Sequence, residues 1–207
     1  MLYVVNKKRN IERIKSDFPN ADILDLTSSS LGYAQILSPF YPHGGIPIPG
    51  DSHGMTSMSV EGIWQGLKVF ENHDIDTSLF SNSTIHGLKR TVRMYGRPIG
   101  HRFGVFSNQL LDYFSARMLI YLPSYKYVLD NISSVHRIIE KIKIRAENNV
   151  VILLDYNTNT DYRDCSKPLS HAQLVIMYIN GEYPMYDPAE EPLTKEELEV
   201  KKKRDKL

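Results

Sequence analysis

Glu61, Gln65 and Lys68 are residues whose types and spacing suit chemistry. On a helix running from Ser59 to about Glu71, each residue advances about 100°, so the three side chains fall within about 60° of one another. An acid, an amide and an amine on one face can move a proton, orient a hydroxyl and attack a carbonyl carbon. With Ser59 as N-cap, Glu61 sits in the first turn, where the positive end of the helix dipole favours the carboxylate and suits a base or an electrostatic stabiliser. Lys68, if buried, has its ammonium form disfavoured, and the free amine is a nucleophile. Trp64 borders the same face, to stack on a ligand or simply to pack. The competing reading is an amphipathic surface helix whose Glu, Gln and Lys are hydrated.

The elements around this helix have to hold it in place. Ile63, Leu67 and Phe70 point to its other side and anchor it. Gly62 and Gly66 share a flank, and because each costs about 1 kcal/mol of helix propensity they imply close approach of another backbone or a ligand. Leu2 to Val5, Ile11 to Phe18 and Ala21 to Leu26 read as strand, helix and strand. Thr27 to Ser59 is thick with Ser, Pro, Gly and His but carries Phe40 and Tyr41, and reads as an ordered irregular wall. Helices are expected over Ile85 to Tyr95, Gln109 to Leu122 with a stop at Pro123, Tyr125 to Ile132, and Val135 to Glu147 with Ser134 as N-cap. Asn149 to Asp155 reads as a buried strand, with Asp155 at the end where α/β proteins place ligand groups. Asn157 to Lys167 reads as a loop and Leu169 to Ile179 as an apolar helix or strand. The fold class is α+β: a single, mostly helical domain with a small β-sheet over residues 1–188. A charged tail over 189–207 reads as a solvated end.

Composition narrows the function classes. The 207 residues are 42% apolar and 24% charged, with 25 basic against 24 acidic side chains and a formal charge of +1. This excludes a disordered or supercharged chain and disfavours general DNA binding. One cysteine, Cys165, excludes an internal disulfide, and no apolar run nears the roughly 18 residues of a membrane helix. The opening residues have the wrong order for a secretory signal, so a soluble, cytoplasmic protein with no membrane partner is expected. The seven histidines lack a pair at metal-binding spacing, and phosphate-loop and dinucleotide fingerprints are missing, so no metal and no cofactor is expected. Between Asp76 and Asp112 the chain has no acid but carries Lys89, Arg90, Arg93, Arg97 and Arg102, with His86 and His101. Such a segment attracts an anion, and Arg90, His101 and Arg102 are candidate ligand donors, the alternative being carboxylate partners elsewhere in the chain. There Gly100 would allow a backbone turn beside two donors.

The order Ser38-x-Phe40-Tyr41-Pro42, then Ser59-Val60-Glu61-x-x-Trp64-Gln65-x-x-Lys68-x-Phe70, resembles the signature of the NADAR (YbiA-like) domain family. The likeness continues weakly through Gly87-Leu88-Lys89-Arg90 and Ala116-Arg117, covering about 37–180. It implies an N-glycosidase cleaving a ribosyl C1′–N bond in a phosphorylated nucleoside-type substrate, either ADP-ribosyl-guanine or a ribotide. On that reading Glu61 stabilises the oxocarbenium-like sugar or activates water, and Lys68 can instead capture the opened aldehyde as a Schiff base. Gln65 orients a hydroxyl, Trp64 or Tyr41 stacks on the base, Arg90 with Arg102 holds phosphate, and Ser38, Phe40, His101 and Asp155 complete the ligand site. The partner is a phosphorylated ribosyl small molecule or an ADP-ribosylated base, with nucleic acid entering only as a modified substrate. Pro39 stands where the family has Asn, and its late Trp-Gly motif is absent, which motivates a second class: a non-catalytic nucleotide- or protein-binding module on the same scaffold.

Overall fold

The computed structural model describes residues 1–204. Strand β1 (Leu2–Asn6) leads through α1 (Ile11–Asp17), capped by the Asn10 side chain, into β2 (Asp22–Asp25). A 3-10 turn over Tyr33–Leu37 and the short antiparallel pair β3 (Ile46–Pro47) and β4 (Thr56–Ser57) give the Ser- and Pro-rich segment its order. Helix α2 (Val60–Gly66) begins where expected, the Ser59 Oγ accepting from the Gly62 N–H at 3.0 Å. It ends five residues early. After Gly66 the chain becomes β5 (Lys68–Phe70), which pairs with β6 (Pro98–Arg102), Lys68 opposite His101. Ladder pairing and the β-branched Val69 outweigh continuation past a glycine. Lys68 therefore stands on a strand, one residue beyond the α2 C-cap, and not on the helix with Glu61.

Two other helical expectations also give way. Over Ile85 to Tyr95 only one turn forms, α3 (Val92–Tyr95), because Gly87 takes φ +73° and Asn82, Thr84 and His86 close a hydrogen-bonded turn. Gly100 lies inside β6, not in a turn: a Cβ there would stand 2.6 Å from the Leu111 carbonyl oxygen, so glycine permits close pairing with β7 (Leu110–Leu111). Helix α4 (Tyr113–Ala116), capped by Asp112, runs through a π-helical turn at Arg117–Tyr121 straight into α5 (Leu122–Asn131). Pro123 does not stop it. A proline ring strikes the carbonyl four residues back in an α-helix, and the wider turn displaces that carbonyl. Helix α6 (Ser133–Asn148) follows, with Ile132 rather than Ser134 at its N-cap and no side-chain cap bond.

Strand β8 (Val151–Asp155) is buried at every position and lies between β1 and β2, parallel to both, with Val4 opposite Leu153. It is followed by α7 (His171–Ile179) and α8 (Lys195–Arg204), so the fold is mixed α+β. One apolar cluster joins the parallel sheet to α2, α5, α6 and α7 through Leu24, Ile63, Leu67, Leu129, Ile139, Leu153 and Val175. The Gly62 and Gly66 flank meets the 3-10 turn Thr77–Ser81: a Cβ on Gly62 would lie 2.8 Å from the Leu79 carbonyl oxygen, and one on Gly66 2.4 Å from the Phe80 ring. The close approach is that of a backbone and a core ring. Lys201, in the tail, is not solvated: its ammonium donates to Asp164 at 2.9 Å and its side chain is 14% exposed. The last three residues of the 189–207 tail lie outside the described residues. Among the described residues no helix is long and apolar enough to cross a membrane.

Candidate functional site

A cavity of about 600 Å³ opens at the carboxyl ends of β2 and β8, lined by Thr27 and Ser28 just beyond the one strand, and by Asp155 at the end of the other with Tyr156 and Asn157 after it. Parallel sheets offer ligands this edge because backbone groups there are not consumed by the ladder. The facing wall comes from Ser38, Pro39 and Phe40, and from the Glu61, Trp64 and Gln65 side of α2.

Glu61 is only 7% exposed and its backbone N–H is tied to the Pro39 carbonyl at 2.8 Å, which joins α2 to the irregular wall. The Gln65 Nε2 donates to Glu61 Oε1 at 2.7 Å, and the Lys68 Nζ donates to Gln65 Oε1 at 2.9 Å. Acid, amide and amine thus form one hydrogen-bonded chain across a helix-to-strand junction. The Gln65 oxygen also accepts from the Arg90 backbone N–H at 3.1 Å, so its acceptor capacity is filled. Gln65 holds Glu61 and Lys68 in register and keeps one Nε2 hydrogen for a ligand hydroxyl. Burial pushes the Glu61 carboxyl above its ordinary value, opposed by the Gln65 hydrogen bond and the Lys68 charge. Desolvation outweighs the first-turn dipole from which an anion was expected. Burial also lowers the Lys68 amine, opposed by the Glu61 charge.

Trp64 lines the cavity and lies against the His101 ring, centroids 3.9 Å apart, with Tyr113 and Tyr121 edge-on at 5.8 and 5.6 Å. His101 is behind Trp64 rather than in the cavity wall; burial and the Lys68 charge hold it at about 3, a neutral ring in a stack. Ser38 and Phe40 face the cavity, the Ser38 Oγ accepting from the Phe40 N–H at 3.3 Å. Tyr41 is turned away against His43, centroids 5.0 Å apart, because a turn closed by the Tyr41 N–H on the Ser38 carbonyl sends adjacent side chains apart.

The basic segment divides. Arg90 reaches the cavity wall, but its guanidinium donates to the carbonyls of Lys68 and Asp74, each at 2.7 Å, and lies over Phe70 and Tyr95. Arg102 is outside the wall, bound through one nitrogen to both Asp74 oxygens at 2.6 and 2.8 Å. The Arg90 Nε is buried without a partner, and Arg102 keeps its other nitrogens unbound among the described residues. Lys89 is exposed at the cavity with its ammonium 5.4 Å from the Phe40 ring centre and no carboxylate partner among the described residues.

Asp155 lines the cavity as expected, with partners the sequence did not announce. It accepts from Ser170 Oγ at 2.8 Å and from His171 Nδ1 at 3.0 Å, while the His171 Nε2 lies 3.0 Å from the Leu26 carbonyl. Two acceptors on one imidazole require both nitrogens to be protonated. Burial alone would raise the Asp155 carboxyl, yet the His171 charge and hydrogen bonds hold it at about 2; burial opposes the His171 cation, and Asp155 raises it above the ordinary imidazole value. Arg117 is the other unforeseen cation of the wall, donating to the carbonyls of Tyr162, Asp164 and Lys167 at 2.7 to 2.9 Å. No spacing rule finds His171 or Arg117, whose carboxylate and carbonyl partners are remote in sequence, or Tyr121, whose ring neighbour Trp64 is remote as well.

Neither a curated protein nor a solved structure gives a significant match to this chain. A family of unknown function, DUF6939, matches residues 6–175, which takes in β2 and β8 at the cavity, α2 and the Asp155–His171 pair, and the chain belongs to that family.

Proposed function

We propose that this chain is an N-glycosidase that cleaves a ribosyl C1′–N bond in a phosphorylated nucleoside-type substrate, ADP-ribosyl-guanine or a ribotide. The observation that carries the reading is the Glu61–Gln65–Lys68 chain set in an aromatic-walled cavity. The resemblance of the same helix to NADAR domains points the same way. A base lies against Trp64 or Phe40, and Lys89, exposed at the cavity and without a carboxylate partner among the described residues, takes the phosphate role, since both terminal nitrogens of Arg90 are bound to carbonyls and Arg102 lies outside the wall. The C1′–N bond breaks with its electron pair going to the base nitrogen, which takes a proton from solvent that the proton removed from water replaces. Water adds to C1′, and Glu61 removes the water's proton; a carboxyl raised by burial is closer to the operating pH and so a better base. Gln65 keeps Glu61 and Lys68 at fixed separation. The lowered amine of Lys68 also allows a second route, in which it attacks C1′ and displaces the base, whose nitrogen takes the bond's electron pair and a proton; the sugar ring opens to the imine, and water hydrolyses it to free the sugar and the amine.

The test is base release on chromatography from ADP-ribosylated guanosine and from pyrimidine ribotides. Glu61→Gln and Lys68→Ala are each expected to lower turnover by at least about a hundredfold, the range of a lost general base or nucleophile. Wild-type rates in both variants would remove this site from consideration. Binding of the same compounds with no product would identify a binding module instead. Borohydride in the presence of substrate separates the two lysine roles: a mass adduct on Lys68 selects the imine route.

A further inference from the structure

Tyr113, Arg117 and Tyr121 all line the cavity, at a spacing of four residues. On a straight α-helix each such step overshoots a full turn by about 40°, so the third side chain drifts off the face. The π-helical turn over Arg117–Tyr121 falls short of a full turn instead, and the two offsets cancel. Tyr121 is thereby brought beside α2 on the side of Trp64, its ring fixed edge-on to Trp64 at 5.6 Å and stacked on Tyr125 at 6.4 Å. The hydroxyls of Tyr113, Tyr125, Tyr178 and Tyr183 each have a protein partner, whereas that of Tyr121 has none among the described residues. Tyr121 is half-buried and its hydroxyl is not among the enclosed polar atoms, so it opens onto the cavity with its donor free for a ligand. Burial and the nearby Glu61 charge hold this phenol well above its ordinary value, so it remains a proton-bearing donor.

We propose that Tyr121 is a substrate-binding residue of this cavity whose hydroxyl donates to the 2′-hydroxyl of a ribose, so that the site accepts ribosyl and rejects 2′-deoxyribosyl ligands. The proposal rests on the N-glycosidase reading, which puts C1′ against Glu61. A donor next to C1′ has two oxygens within reach, the ring oxygen and the 2′-hydroxyl. The ring oxygen gains positive character as the C1′–N bond breaks, and a hydrogen bond to it would oppose that charge. The 2′-hydroxyl has no such conflict, and hydrogen bonds to it strengthen in transition states of this type. A site built to hydrogen-bond a hydroxyl also rejects the analogue lacking it far better than an apolar wall distinguishes sizes.

The experiment is calorimetric titration of the full chain with ribose 5-phosphate and with 2-deoxyribose 5-phosphate, for the wild type and for Tyr121→Phe. The wild type is expected to bind the ribose compound at least about tenfold more tightly, and the variant to narrow that gap to about threefold or less. Equal binding of the two sugars by the wild type overturns the proposal without using a variant. A gap unchanged in Tyr121→Phe overturns it too, while leaving the glycosidase reading intact. Failure of the wild type to bind either sugar phosphate, with no base release from any substrate, overturns both.

Discussion

Glu61 and the Asp155–His171 pair are buried acids held in opposite ways, and pH separates them. The Glu61 carboxyl is raised in the folded chain, so it binds its proton more tightly there than in the unfolded chain. Below the unfolded value of about 4.5 both states are protonated and the group has no effect. As pH rises through the folded value, stability falls. Glu61→Gln removes this cost while the new amide oxygen still accepts from Gln65. The variant is therefore expected to melt with the wild type at pH 4 and above it at pH 8, by differential scanning fluorimetry; a variant less stable at pH 8 contradicts the assignment. For His171 the slope with pH has the same sign, but there the protonated form is stabilised by a partner. His171 is raised, so its contribution is fully present below the unfolded imidazole value of about 6.5 and is lost as pH rises through the folded one. Asp155→Asn leaves the imidazolium buried without its carboxylate, at about 3–5 kcal/mol for a broken buried pair. The melting gap between Asp155→Asn and wild type is expected to be widest near pH 6 and to shrink towards pH 10. A constant gap would show that His171 is not charged.

At the scale of elements, the parts legible in the sequence were those set by local pattern. The β1–α1–β2 unit, the β8 run and the Ser59 cap rest on apolar runs and a capping residue, and they form as read. Asp155 could be placed at the cavity for the same reason, as the end of a buried strand. What could not be read depends on remote contacts. The α2 helix ends early because β6 captures Lys68, and both terminal nitrogens of Arg90 are bound by carbonyls of Lys68 and Asp74. The π turn that carries Arg117 and Tyr121 inward has no periodic signature of its own. The two α2 glycines show how a correct local inference stays incomplete: spacing announced a close neighbour but not which one. Because that neighbour is the Thr77–Ser81 turn, Gly62→Ala and Gly66→Ala are expected to lose about 1–3 kcal/mol of stability by overpacking, more than the roughly 1 kcal/mol of helix propensity they gain. Chemical denaturation of the two variants decides; a stabilised Gly62→Ala would mean that the turn yields freely.

For the whole molecule, the cavity wall after β8 is held from two sides. From inside, Arg117 gathers the carbonyls of Tyr162, Asp164 and Lys167. From outside, the chain beyond the family match at residue 175 returns to the same loop: the Leu193 N–H donates to the Arg163 carbonyl at 3.0 Å, and Lys201 on α8 reaches Asp164 at 2.9 Å and Asn159 at 3.3 Å. Asp164 is almost fully enclosed, its side chain 3% exposed, so the Lys201 contact is not an ordinary surface pair. Lys202, one residue on, makes such a pair with Glu199 at 53% exposure. Lys201→Ala is therefore expected to cost about 1.5–3 kcal/mol, the range for a hydrogen bond between charged groups, whereas Lys202→Ala stays within about 0.5 kcal/mol. If α8 braces the loop, amide hydrogen exchange over residues 157–167 should quicken in Lys201→Ala and not in Lys202→Ala, while exchange in the parallel sheet changes only by the global loss of stability. Equal exchange in the loop for both variants would mean that the Arg117 side alone suffices. In that case the C-terminal helix is an appendage to the cavity wall rather than part of what holds it.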